Sequence, residues 1–264
     1  MTSAKDKPSA LVRWQEIQDK LQGKRPLFFL DYDGTLSPIT AHPKDARLPP
    51  KMKEVLEDLS RRYFTAVISG RALADIKELL GDMPLYISGS HGFVIETDAG
   101  VVFRLPEAAR YRKDLEEAYL LLKEKISSLP GVVLENKDFS IAIHDRMVEE
   151  GFKPIIRTTV AETSTLFPRL KMNAGKCLFE LKPALDWDKG KAVQWILDSI
   201  SFDPKRECPI VIGDDVTDED AFRAVKGNGV SIFVMGEKTE THADYILQNT
   251  EEVALFLQLF STMQ

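Results

Sequence analysis

Apolar and polar positions alternate along this 264-residue chain with two different periods. Short, nearly continuous apolar runs read as buried strands: "LFFLD" at 27–31, "FTAVISG" at 64–70, "LYIS" at 85–88, "PIVIGDD" at 209–215 and "VSIFVM" at 230–235. Between them the period changes to that of a helix. "PPKMKEVLEDLSRR" places Met52, Val55, Leu56 and Leu59 on one face, and "RALADIKELLG" predicts a helix stopped by Gly81. "DKGKAVQWILDSI" aligns Val193, Ile196, Leu197 and Ile200, "DEDAFRAV" continues the helical pattern, and "EEVALFLQLF" closes the chain as a helix. Strands alternating with helices predict an α/β fold, a Rossmann-like parallel sheet covered on both faces. In such sheets ligands bind beyond the carboxyl ends of the strands. The polar motifs fall there: "DYDGT" after the first strand, "SGR" after the second and "GDDVTDED" after a late one.

Residues 106–182 break this rhythm. A long helix, "EAARYRKDLEEAYLLLKEKISSL", carries Leu115, Ala118, Tyr119, Leu122 and Ile126 on its apolar face. A two-strand hairpin in "GVVLENKDFSIAIHDR", a helix near 151–166 and a strand in "KCLFELKP" follow. That order predicts an antiparallel sheet with helices on one side. We therefore expect a discontinuous core domain, 1–105 and 183–264, interrupted by an inserted α+β domain at 106–182. Ahead of the first strand, Leu11, Trp14, Ile17 and Leu21 are spaced as a helix that packs on the core or presents a partner surface.

Composition narrows the classes. With 44% hydrophobic residues the chain can bury a large core. A net charge of -6 with both signs interspersed argues against nucleic acid or an acidic membrane as partner. Two cysteines, Cys177 and Cys208, make neither a disulfide framework nor a zinc pattern. The first 25 residues lack a signal-peptide core, and no segment approaches the roughly 18 apolar residues of a membrane span. A cytoplasmic protein is the expectation.

Asp31 and Asp33 end an apolar strand, a place that does not favour Asp, and Gly34 ends the strand with them. Asp33 read alone is a turn cap. The second acidic cluster runs from Gly213 to Asp220; a helix starting there would present Asp214 and Asp218 on one side. Capping explains Asp218, Glu219 and Asp220, but not Asp214 and Asp215 directly after a strand. Carboxylates held together repel unless a cation sits among them, and oxygen donors without nearby His or Cys favour Mg²⁺ over zinc. Ser69 and Arg71 stand at a strand-to-helix turn whose free N–H groups suit phosphate. Lys189 opens a helix, where the dipole disfavours a cation unless an anion awaits it. Lys191, Lys182 and Lys176 are competitors for that role. No G-x-x-x-x-G-K-[ST] motif occurs.

In this order "DYDGT", "SGR", "KG" at a helix start and "GDDVTDED" resemble the haloacid dehalogenase phosphatases, with the insert resembling their type C2 cap. "GSHGFVIE" (89–96), "LENKDFSIAIHDR" (134–146), "FELKP" (179–183) and "GDDVTDEDAF" (213–222) narrow the resemblance to trehalose-6-phosphate phosphatases. The resemblance implies the following roles. Asp31 is the nucleophile that forms an aspartyl-phosphate, and Asp33 the acid that protonates the leaving sugar and then activates water. Thr35, Ser69, Gly70 and Arg71 bind the phosphoryl group, and Lys189 balances its charge. Mg²⁺ lies among Asp31, the Asp33 carbonyl and Asp214, supported by Asp215 and Asp218. Glu135, Lys137 and Glu180 of the cap, with His91 and Gly92, contact the sugar; Asn136 and Arg146 are weaker candidates. It implies a small sugar-phosphate substrate, a monomer, and any trehalose-phosphate synthase on a separate chain. Alternatives are a phosphatase for sucrose 6-phosphate or mannosyl-3-phosphoglycerate, a phosphosugar mutase, and a silent sugar-phosphate-binding regulator.

Overall fold

A computed structural model describes residues 1–40, 42–175, 177–236 and 240–262. The chain forms two compact units, residues 1–103 with 187–264, and residues 104–186. The larger is built on an eight-stranded sheet in the spatial order Tyr245–Leu247, Val230–Val234, Glu207–Gly213, Arg25–Leu30, Thr65–Ile68, Tyr86–Gly89, Val94–Glu96, Val102–Arg104. The first six run parallel. Leu27, Phe28, Phe29 and Leu30 are all buried, as a central parallel strand covered on both faces requires. Each such side chain contributes about 1.5–3 kcal/mol by leaving water.

Register decides where the polar motifs meet. Ile212 pairs with Leu30, and Leu30 pairs with Val67, so three neighbouring strands end level. Asp31 N–H then donates to the Ile212 carbonyl at 2.9 Å, placing Asp31 beside the Gly213–Asp214 turn. The edge strands Tyr245–Leu247 and Val102–Arg104, and Val94–Glu96 beside the latter, have no counterpart among the sequence expectations, and Val94–Glu96 runs antiparallel to Tyr86–Gly89. Three residues are too few to display a period.

The N-terminal helix Trp14–Leu21 packs on the core. Trp14 meets Phe256 and Phe260 edge-on at 5.7 and 5.0 Å, and Ile17 and Leu21 are buried. Leu11, expected on the same helix, lies in the turn before it.

The smaller unit has a four-stranded antiparallel sheet ordered Val133–Lys137, Ser140–His144, Leu178–Pro183, Leu170–Gly175. Its predicted first helix begins as a 3-10 turn, Pro106–Tyr111, before the α-helix Arg112–Ile126. That helix and Lys153–Leu166 share a core with the sheet through Leu115, Leu122, Ile141, Ile143, Ile156 and Leu181. The strand Leu170–Gly175 was not located from sequence; past the buried Leu170, apolar Met172 and Ala174 are exposed while polar Lys171 and Asn173 are half-buried, the reverse of the usual apolar-in alternation. Because side chains alternate across a strand, Ile141, Ile143 and Leu181 face the helices while Ser140, Ala142, His144 and Glu180 take the opposite face.

Candidate active site

In the larger unit, Asp31 follows its strand and Asp214 follows the neighbouring one. Lys189 opens the helix Lys189–Ser199, whose N-cap Asp188 accepts a hydrogen bond from Lys191 N–H at 2.9 Å. From there the Lys189 ammonium donates to Asp31 Oδ1 at 2.6 Å and to Asp218 Oδ1 at 2.7 Å. So Lys189 meets carboxylates at its helix start, the compensation its position demands. Burial opposes its charge, but Asp218 and Asp31 outweigh that and hold the ammonium above the ordinary lysine value.

The expected helix through both Asp214 and Asp218 is corrected here. The helix starts at Asp218, and Asp214 lies in the turn before it. Asp218 reaches back, Oδ2 accepting from the N–H groups of Asp214 at 3.1 Å and Asp215 at 3.0 Å. A carboxylate at a helix start that satisfies preceding donors stabilises the turn and aims Asp214 inward. Asp215 itself is exposed.

Two glycines make this crowding feasible. Gly34 has φ +82°, and a Cβ there would stand 2.1 Å from Asp214 Oδ2. A Cβ on Gly213 would meet Asp218 Cγ at 2.2 Å. The glycine in "DYDGT" therefore lets the loop approach the second acidic motif, a demand its sequence context did not reveal.

Asp31, Asp214 and Asp218 each offer an oxygen within 4.8 Å of the others. Burial, ahead of the partial relief from Lys189 and the repulsion of Asp218, pushes the Asp31 carboxyl up to about 8. Burial, followed by the charges of Asp31 and Asp218, pushes Asp214 up to about 9. Asp214 Oδ1 is buried without a hydrogen-bond partner, as is Thr35 Oγ1. A crowded, all-oxygen set with an unpartnered carboxylate oxygen fits a hard divalent cation.

The structure brings Asp31, Asp214, Asp218 and Lys189 into one cluster. Asp33 turns elsewhere: Arg71 donates through Nε to Asp33 Oδ2 at 2.8 Å and through Nη2 to Oδ1 at 2.6 Å. Ser69 is buried, and its Oγ accepts from Arg71 N–H at 3.1 Å, closing the strand-to-helix turn. Beside it, Ser90, His91 and Gly92 take positive φ values of 50°, 55° and 97° in succession. The His91 ring lies against Gly70, where a Cβ would stand 2.6 Å from Cε1. Such backbone is sparsely populated outside glycine and is held by its bonds, Ser90 N–H to Arg71 O at 2.7 Å and His91 N–H to Ser69 O at 2.9 Å.

Among the competing lysines, Lys182 is buried with Glu180 at 3.9 Å, Lys191 is half-buried, and 176 lies outside the described residues. In the smaller unit Glu135 and Glu180 flank Ala142 in register, and Lys137 pairs with Ser140. Glu135 Oε2 is hydrogen-bonded to His144 Nε2 at 2.9 Å, and Ser140 donates to Glu180 Oε1 at 2.8 Å. Asn136 points to the other side of its strand by alternation. Ser140, His144 and Lys182 were missed as members of this polar face. The tight Asp138–Phe139 turn held the signal, because it fixes the register of both strands.

Strand-end carboxylates, a buried helix-start lysine and a doubly wound sheet define the haloacid dehalogenase-like hydrolase fold. A haloacid dehalogenase-like hydrolase from Bacteroides thetaiotaomicron shares it with a TM-score of 0.64 at 18% identity, over 90% of this chain and 100% of that one. The chain belongs to the trehalose-phosphatase family, whose model matches residues 29–251. It is 36% identical to "Probable trehalose-phosphate phosphatase 4" of Oryza sativa subsp. japonica, across 95% of this chain and 70% of that protein. The trehalose-6-phosphate phosphatase C-terminal domain of C. albicans superposes with a TM-score of 0.82 at 22% identity, covering 97% of this chain and 98% of that one. Among the described residues no helix is long and apolar enough to cross a membrane.

Proposed function

We propose that this protein is a Mg²⁺-dependent phosphatase that converts trehalose 6-phosphate to trehalose and phosphate. The observation that carries this reading is the buried Lys189–Asp31–Asp218 cluster with Asp214 against it, in a chain of the trehalose-phosphatase family. Asp31, Asp214 and Asp218 would hold the cation, with the Asp33 carbonyl and Asp215 as further support. When bound it neutralises the phosphoryl group and keeps Asp31 ionised.

The chain's own residues then divide the reaction. An Asp31 carboxylate oxygen attacks phosphorus as the bond from phosphorus to the sugar oxygen breaks. The electron pair of that bond goes to the sugar oxygen, which takes a proton from Asp33. Water next attacks the phosphoryl group on Asp31 and gives a proton to Asp33. The Asp31–phosphorus bond breaks, restoring the carboxylate. Lys189, already bonded to Asp31 Oδ1, fixes that carboxylate's orientation and faces the phosphoryl charge. Thr35 Oγ1, buried without a partner, supplies a hydroxyl for a phosphoryl oxygen, with Ser69, Gly70 and Arg71 bordering the same end of the sheet. Monoester hydrolysis can need acceleration of about 10²¹-fold, of which an acid supplies about 10²–10⁴. Positioning and charge must supply the rest.

For the sugar we propose, in the smaller unit, the cap, its polar face of Glu135, Lys137 and Glu180; in the larger unit His91 and Gly92 of the strained loop are separate candidates. Carboxylates and amines there match a ligand made of neutral hydroxyls. Phosphate release from trehalose 6-phosphate, glucose 6-phosphate, sucrose 6-phosphate and mannosyl-3-phosphoglycerate tests the assignment, each with Mg²⁺, with chelator and with Asp31→Asn. Preference for trehalose 6-phosphate, abolished by both controls, is the expected result. Metal-dependent turnover of another substrate would retain the mechanism and reject the cap assignment, and no turnover would point to a binding regulator.

A further inference from the structure

We infer that Arg71 is the positioning residue of Asp33, acting in the departure of the sugar and not in the grip on phosphate. This rests on the assignment of Asp33 as the acid. Three sets of contacts fix the arginine. Its N–H donates to Ser69 Oγ at 3.1 Å and its carbonyl accepts from Ser90 N–H at 2.7 Å, so its backbone is tied to both neighbouring loops. Its guanidinium lies 5.5 Å over the ring of Tyr32, the residue between the two aspartates. Tyr32 is fully buried, with its hydroxyl donating to the Ala46 carbonyl at 2.9 Å, so that ring is a fixed platform. The third contact is the fork itself, Nε to Oδ2 at 2.8 Å and Nη2 to Oδ1 at 2.6 Å.

The partners differ in freedom. The Arg71 side chain is 12% exposed and the Asp33 side chain 41%. The arginine is the anchored member, and its planar fork sets the rotamer and plane of the carboxyl group. An isolated surface pair would do little, but a bidentate fork on a buried scaffold imposes geometry. The fork also occupies both Asp33 oxygens. For Asp33 to hand a proton to the sugar oxygen, one oxygen must leave the fork while the other stays bonded. Arg71 then acts as a hinge for the acid, holding one oxygen as the other turns to the leaving group. As the phosphorus–oxygen bond breaks, its electron pair passes to the sugar oxygen and the Asp33 proton follows.

Leaving-group dependence separates this from a phosphate contact. Trehalose 6-phosphate releases an alkoxide that needs the proton, whereas 2,4-dinitrophenyl phosphate releases a stable phenolate that does not. The comparison is kcat/KM on both substrates for the parent, Asp33→Asn, Arg71→Gln and Arg71→Lys. Taking the ratio within each preparation cancels any loss of folded protein. Asp33→Asn should lose about 10²–10⁴-fold on trehalose 6-phosphate and much less on the aryl ester. Arg71→Gln should follow the same pattern with at least a tenfold change in ratio. Arg71→Lys keeps the charge without the fork and should recover only part of that ratio. Equal losses on both substrates for Arg71→Gln would overturn the inference and return Arg71 to the phosphoryl group. An unchanged ratio with full activity would overturn it as well. If instead Asp33→Asn loses equally on both substrates, the assignment of Asp33 as the acid fails, a result distinct from either.

Discussion

The Lys189 ammonium is almost completely buried, with one carboxylate oxygen on either side at 2.6 and 2.7 Å. Each of those three charges would be costly alone in that place. Replacing Lys189 with Met leaves Asp31 and Asp218 buried without their cation. The expected loss is about 3–5 kcal/mol of unfolding free energy, read from urea denaturation of the metal-free protein at pH 7. Turnover should fall with it, since Asp31 loses the donor that orients it. An unchanged denaturation midpoint would show that the ion pairs of Lys189 add nothing net to stability. At this scale the sequence was informative about residue type. A lysine at a helix start and aspartates at strand ends each break a local preference, and such violations mark sites. What it did not show was which carboxylate each cation meets. The fork of Arg71 on Asp33 was not legible in the sequence, because partner choice depends on side-chain reach across two loops.

The helix Lys189–Ser199 owes its starting point to Asp188, which is extended, with φ −152° and ψ 179°, and accepts from Lys191 N–H. Removing that cap by Asp188→Ala should cost about 1 kcal/mol, and Asp188→Ser should restore most of it. For a chain of this size that is a shift of about 2–4 °C in Tm, measurable by calorimetry. Frayed, this helix would also loosen Lys189, so the Ala variant should lose turnover beyond its loss of stability. Long elements such as Pro50–Arg62 and Lys189–Ser199 were legible because four or more apolar positions repeat. The strands Val94–Glu96 and Tyr245–Leu247 were not, and the acidic helix begins four residues later than a run from Asp214 suggested. There Asp218 spends its carboxylate on the preceding turn, a cap read backwards along the chain.

Across the whole molecule, the acidic cluster links stability to pH. Asp31 and Asp214 have folded pKa values near 8 and 9, well above the roughly 4 of an unfolded carboxyl group. Between about pH 4 and 9 the metal-free folded state therefore binds more protons than the unfolded state. The stability these groups contribute is present at low pH and declines as pH rises through that window. A cation among the carboxylates replaces the protons, so the rise in Tm produced by Mg²⁺ should grow from pH 5 to pH 8. Thermal melts with Mg²⁺ and with chelator at both pH values check this. A Mg²⁺-induced shift independent of pH would place the cation away from Asp31 and Asp214.

The sequence by itself determined the alternating α/β order and the inserted α+β segment, through hydrophobic period and through lengths sufficient to express it. It also determined the three polar motifs at strand ends, because polar residues there contradict the oily strands that carry them. Only the tertiary structure decided how those motifs interlock. Level strand ends set Asp31 beside Asp214, and Gly34 allows the approach through the room left by its missing Cβ. The strained Ser90–Gly92 turn lays His91 on Gly70, and the hairpin register gathers Ser140 and His144 with Glu135. These are relations among residues distant in sequence or separated by a turn. Local propensity is silent about them, since the contacts exist only once the sheet has fixed its register.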